Sequence, residues 1–115
     1  MDAPRGIARA RYRRGAAYAD QGLHAQALEA AQASLALFRQ IDDAWGPGGA
    51  HQVIGRALSG LGRPDRAAEA YRRALAVFTS VSDTRRAHQT AHALRLAEDT
   101  ASASAHDGGG PFLFL

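Results

Sequence analysis

The chain has 115 residues, 46 % of them hydrophobic, which supports one compact domain but not two. Its 14 basic residues are all arginine, its net charge of +3 is modest, and its lack of cysteine excludes disulfides, thiolate nucleophiles and Cys-based zinc or iron–sulfur sites. Alanine, the best helix former, supplies 27 residues while Val, Ile and Thr are scarce, so an all-α chain is expected.

The first helix is predicted near 4–21. It opens with Arg5, Arg9, Arg11, Arg13 and Arg14 and no acid between them. Arg5, Arg9 and Arg13 share one helical face, while Arg11 and Arg14 point elsewhere. Gly22 stands where this helix must stop and the chain must turn. In the second helix, near 24–41, Ala27, Ala31, Ser34, Phe38 and Ile41 recur at spacings of four and three, which turns one face to a core. Asp43 is a candidate N-cap for a third helix near 46–61, whose onset is blurred by Trp45-Gly46-Pro47-Gly48-Gly49. Ala50, Ile54, Leu58 and Leu61 form its apolar stripe.

Gly62 closes the third helix, and Pro64 opens the fourth, near 64–81, with Asp65 in the dipole-favoured first turn. Its ladder is Ala67, Tyr71, Ala74, Phe78 and Val81. Asp83 is the equivalent N-cap for a fifth helix near 84–101. These helices define a domain over 4–101. Residues 102–115 are expected to be a flexible tail, small and polar through Gly110, then apolar from Pro111 to Leu115.

The second ladder repeats the first, and the repetition is general. Between Ala10 and Ala44, 11 of 35 residues are identical to the residue forty positions on, among them Gly15/Gly55, Gly22/Gly62, Leu35/Leu75, Phe38/Phe78 and Asp43/Asp83. Self-similarity at such a period signals a repeat array. A third, incomplete copy follows, with Ile54 matched by Leu94 and Ala57 by Ala97.

The helical pair carrying Gly55, Leu58, Gly62, Ala67, Tyr71 and Ala74 resembles a tetratricopeptide repeat in the order of its small, large, turn-glycine and aromatic positions. The first copy matches at Gly15, Tyr18, Gly22 and Ala27 and departs at Ala31 and Ser34. Arg11, Arg14 and His51 stand where that family usually has apolar residues. The resemblance covers roughly 8–100, and the forty-residue period, with Asp43 and Asp83 in the linking turns, is similar to the long-helix variety of bacterial transcription regulators.

The resemblance implies an α-solenoid of two helical hairpins plus a C-terminal helix, with the first helix of each pair lining a concave groove. Carried over by position, it nominates Arg9, Tyr12, Arg13 and Ala16, then Gln52, Arg56 and Ser59, then Gln89 and His92. Arginine, phenol and amide side chains suit an acidic or carboxylate-bearing peptide. The Lys and Asn of the family's carboxylate clamp are not reproduced, so chaperone C-termini are not indicated. Two pairs and one helix fall short of three repeats. The expected remedies are a polar capping helix bearing Arg86, Gln89, Arg95 and Glu98, membership of a longer array, or a homodimer covering an open end.

Other signals are weaker. The arginines of 5–14 suit phosphates, which makes nucleic-acid binding the rival reading, but no RNA-binding or DNA-reading signature accompanies them. His88 and His92 have metal-ligand spacing without the glutamate of His-Glu-x-x-His. No nucleotide fingerprint, nucleophile elbow or paired carboxylates are found, so neither an enzyme nor a cofactor or metal is expected. No secretory signal or run of roughly 20 apolar residues is present, and a cytoplasmic location follows as the expectation. The function expected is non-catalytic binding of a protein or peptide, in bacterial signalling or transcriptional regulation; a remnant of a larger regulator is the third possibility.

Overall fold

The computed structural model describes residues 3–109, with side-chain environments through Ser104. Its elements are α1 (Ala3–Asp20), α2 (His24–Gln40), α3 (Gly46–Gly60), α4 (Pro64–Ser80) and α5 (Thr84–Gly109). The first four follow the sequence expectation to within a residue or so at each end. The fifth runs to 109 where an end at 101 was expected. Ala101, Ala103 and Ala105 favour the helical backbone, and the small polar residues among them do not break it. Residues 102–109 of the expected tail are therefore helical, and Pro111–Leu115 lie outside the described residues.

Each helix packs against its sequence neighbour, and α1 also reaches α3. The result is a stack of antiparallel pairs, extended to 65 × 28 × 21 Å. Its core is made of small residues. Ala27, Ala31, Ala50, Ala57, Ala67 and Ala74 are all fully buried, so backbones approach closely. Phe38 and Phe78, forty residues apart, fill the larger gaps and are also fully buried.

Forty-residue periodicity extends to the backbone. Gly22 (φ 77°) and Gly62 (φ 74°) end α1 and α3 in the left-handed region, and Asp42 (φ 51°) and Ser82 (φ 58°) do the same after α2 and α4. At each turn the next amide reaches the carbonyl five residues back: Leu23 to Tyr18, Arg63 to Leu58 and Asp83 to Phe78 at 2.9 Å, and Asp43 to Phe38 at 3.2 Å. This closure satisfies carbonyls that a helix end would otherwise leave unpaired.

The two copies differ where the sequence departs from the repeat. Gly55 of α3 faces the Tyr71 ring of α4, and a methyl group there would lie 2.5 Å from Tyr71 Cε1. Its counterpart Gly15 meets Ala31, so α2 itself comes close: a methyl would lie 3.3 Å from the Ala27 carbonyl oxygen and from the Ala31 nitrogen. Equivalent glycines thus admit a phenol ring in one copy and a second backbone in the other.

Candidate functional site

The turn between α2 and α3 places Trp45 among α1, α3, α4 and α5. Asp43 Oδ1 accepts the backbone N–H groups of Trp45 at 3.0 Å and Gly46 at 2.6 Å, which fixes the turn ahead of α3. Arg5 Nε of α1 lies 3.4 Å from Asp43 Oδ2. Gly49 lets two rings settle on the α3 backbone, since a methyl there would be 2.5 Å from Trp45 Cζ3 and 3.0 Å from Tyr12 Cε1. Tyr12 meets Trp45 edge-on at 5.5 Å between centroids, and Phe78 lies 5.6 Å away on a tilted plane.

Polar atoms complete the cluster. Trp45 Nε1 donates to Asp83 Oδ2 at 2.9 Å, while Asp83 Oδ1 accepts the Arg86 amide at 3.1 Å and so caps α5. These two hydrogen bonds, the indole's first, hold the Asp83 carboxyl below its ordinary pKa. The Arg86 guanidinium sits 5.4 Å over the Trp45 ring, and its Nη1 donates to Gln52 Oε1 at 2.8 Å.

Beside this cluster Arg9, Tyr12 and Arg13, with Phe38, Asp43 and Trp45, line a cavity of about 260 Å³. Three of the nominated residues therefore meet in one place. Gln52 joins them through Arg86. Arg56 stands further along α3, where its Nη2 pairs with Asp20 Oδ1 of α1 at 2.6 Å, so it already has an acidic partner. Gln89 and His92 are exposed on α5 and do not line this cavity.

The arginine-rich start of α1 is divided between surfaces. Arg9 and Arg13 face the Trp45 cavity and Arg5 reaches Asp43, whereas Arg11 and Arg14 line a separate groove with Ile7, Tyr18 and Glu29. No single basic stripe results. Of the residues expected as polar surface of the last helix, one is engaged between neighbouring helices and another stays exposed while pairing across to α4. Arg86 turns inward to Trp45 and Gln52, because the Asp83 cap fixes the direction of the first turn of α5, and Glu98 pairs with Arg72 of α4 at 3.1 Å.

The central roles of Trp45 and Arg86 were not visible in the repeat. Their counterparts forty residues away are Arg85 and Gly46, so self-comparison passes over both. The signal that could have found them is the paired Asp43 and Asp83, one holding Trp45 by its backbone and the other by its ring.

His88 lines an outer groove with Leu75 and Phe78, and His92 is exposed. Among the described residues no three His, Asp or Glu side chains are placed to hold a metal ion. His51 is only 7 % exposed on the opposite side of α3. Burial, then the charges of Arg39 and Arg73, push its pKa down to about 4, so it is neutral at physiological pH.

A stack of antiparallel helix pairs carrying an arginine- and aromatic-lined recess defines a helical-repeat array. The tetratricopeptide repeat family model matches residues 6–80, and the chain belongs to that family. Its domains generally bind proteins or peptides and are typically non-catalytic. The match ends with α4, so α5 with its partial third copy lies beyond it. No curated protein and no solved structure matches the chain. No helix among the described residues is long and apolar enough to cross a membrane.

Proposed function

We propose that this chain binds a carboxylate-bearing protein segment, without catalysis, over the recess where Arg9, Tyr12 and Arg13 surround Trp45. That recess carries the reading. Two arginines with no ion pair among the described residues flank an aromatic wall, which suits forked hydrogen bonds to a carboxylate with ring contact beside it. Gln52 and Arg86 extend the polar surface toward α5, and a longer bound segment would have to reach past them to meet Gln89 and His92. Arg56 contributes only when Asp20 releases it. The setting we assign is bacterial signalling or transcriptional regulation, on the resemblance of the forty-residue period and its Asp-bearing turns to regulator arrays.

The rival, nucleic-acid binding through residues 5–14, is weakened by the split of those arginines over two grooves. Trp45 is the only tryptophan and forms part of the recess, so its fluorescence reports occupancy directly. Titration with a hexaglutamate peptide is expected to give a saturable change that Arg9→Glu with Arg13→Glu removes while helicity is retained. A response to random duplex DNA at low salt, with none to hexaglutamate, would reverse the choice.

A further inference from the structure

The outer side of the array has a second recess, which the binding face described above does not use. It lies where α2 and α4 flank α3 and measures about 380 Å³. Ile54 and Leu58 of α3 contribute apolar surface, and Arg63, Arg66 and Arg73 line its α4 side. Arg66 and Arg73 are two helical turns apart and so project from the same face of α4. His51 opens onto this recess as a nearly buried polar side chain among these cations.

Charge in the recess is unbalanced. Its lining holds three arginines and one acid, Glu69, and Glu69 already pairs with Arg73 at 2.8 Å. Arg63 and Arg66 have no ion pair among the described residues. Arg39 of α2 adds a further positive charge near His51. A solvated surface does not require a buried imidazole at the foot of such a cluster, but an anion site uses both.

We propose that this recess is a second ligand site, for the phosphate group of a phosphomonoester whose organic body lies over Ile54 and Leu58. Two guanidinium groups unpaired among the described residues, a third shared with Glu69, and an imidazole match a dianion with three terminal oxygens better than a carboxylate with one charge and two oxygens. The volume exceeds what phosphate alone occupies, and the apolar surface beside the cations gives the rest of the ligand a place.

Binding has a signature peculiar to this site. An anion here offsets Arg39 and Arg73, so His51 takes up a proton more readily when the ligand is bound, and by linkage its protonation strengthens binding. The groups setting that balance are Arg39 from α2 and Arg63, Arg66, Glu69 and Arg73 from α4.

The test is an NMR titration of the full chain, following the imidazole signals of His51, assigned by their loss in His51→Gln. The probes are phenyl phosphate, inorganic phosphate and phenylacetate, with sodium chloride at matched ionic strength. Phenyl phosphate is expected to saturate and to raise the His51 pKa by a unit or more, beyond the smaller rise from chloride screening. Arg66→Ala with Arg73→Ala should weaken that saturation at least tenfold while circular dichroism is unchanged.

Equal shifts in chloride, retained affinity in the double variant, equal binding of phenylacetate, or inorganic phosphate binding as well as its phenyl ester would each overturn the proposal. A response at Trp45 with none at His51 would overturn it too, yet leave the inner-face reading standing. Saturation at His51 with no hexaglutamate response at Trp45 would do the reverse.

Discussion

Trp45 and Asp83, 38 residues apart in sequence, are joined by a 2.9 Å hydrogen bond from the indole Nε1 to the carboxylate that also caps α5. One acid therefore serves two neighbours, an aromatic ring of the inner recess and the first turn of the last helix. Asp83→Ala is expected to destabilise the fold more than Trp45→Phe, because it removes the helix cap together with the indole's partner. Urea midpoints for the two variants and their double variant test this, and strictly additive effects would contradict the shared role. The folded-state pKa of Asp83 is depressed, so its contribution is complete above the ordinary carboxylate pKa and is lost as pH falls through the folded value.

His51 gives a separate acid sensitivity. Its folded-state pKa is about 4 against an ordinary 6.5, so between these values the unfolded chain binds a proton that the folded chain refuses. Stability should be unaffected by this group above about 6.5, fall as pH drops toward 4, and then level off, a loss of roughly 3 kcal/mol. In His51→Leu that part of the slope should vanish. Urea denaturation at several pH values measures it, and an unchanged slope in the variant would refute the assignment.

Gly55 and Gly15 provide an internal comparison. Gly55→Ala places a methyl group against the Tyr71 ring, and Gly15→Ala places one against backbone atoms. Both are expected to destabilise. Truncation in Tyr71→Ala should itself cost about 3–5 kcal/mol, the range for large aromatic side chains. In that background the further cost of Gly55→Ala should nearly disappear, while Gly15→Ala should remain as damaging as before. Additivity for the pair Gly55 and Tyr71 would show that the ring is not what demands the glycine.

Thr90 is fully buried in α5, and its hydroxyl has no hydrogen-bond partner among the described residues. Its counterparts in the two earlier copies are Ala10 and Ala50. Thr90→Val removes an unsatisfied hydroxyl while keeping the shape, so a gain of about 1 kcal/mol is expected. A loss of stability on thermal unfolding would mean that the hydroxyl has a partner.

Ser82 holds a left-handed backbone at φ 58°, in a turn closed like those in which Gly22 and Gly62 serve. Ser82→Gly should stabilise by roughly 0.5–1 kcal/mol, and Gly62→Ala should destabilise by about 1 kcal/mol. Since a methyl at Gly62 meets nothing within 4 Å, its effect isolates the backbone conformation from packing.

These positions also show how far the sequence could be read. Periodic ladders such as Ala67, Tyr71, Ala74 and Phe78 made the helices legible, because burial at every third or fourth position leaves its trace in composition. Gly22 and Gly62 marked turns for a conformational reason that acts locally. Pairings such as Arg56 with Asp20, or Arg86 with Gln52, join residues more than thirty positions apart and carry no such trace. The end of α5 was missed because alanine and serine continue a helix as easily as they form a linker. Arg9, Tyr12 and Arg13 were nominated by position alone, and Trp45, which brings them into a common recess, has no repeat counterpart to reveal it.

In stacked arrays each unit touches mainly its neighbours, so the ends can fray while the middle persists, as in a one-dimensional lattice. The Trp45 anchorage breaks that independence. It bonds the turn after the first hairpin to the head of the fifth helix and leans on the first helix through Tyr12. Loss of α1 packing or of the first turn of α5 must then disturb this junction, so the first helix and the head of the fifth are expected to melt together rather than independently.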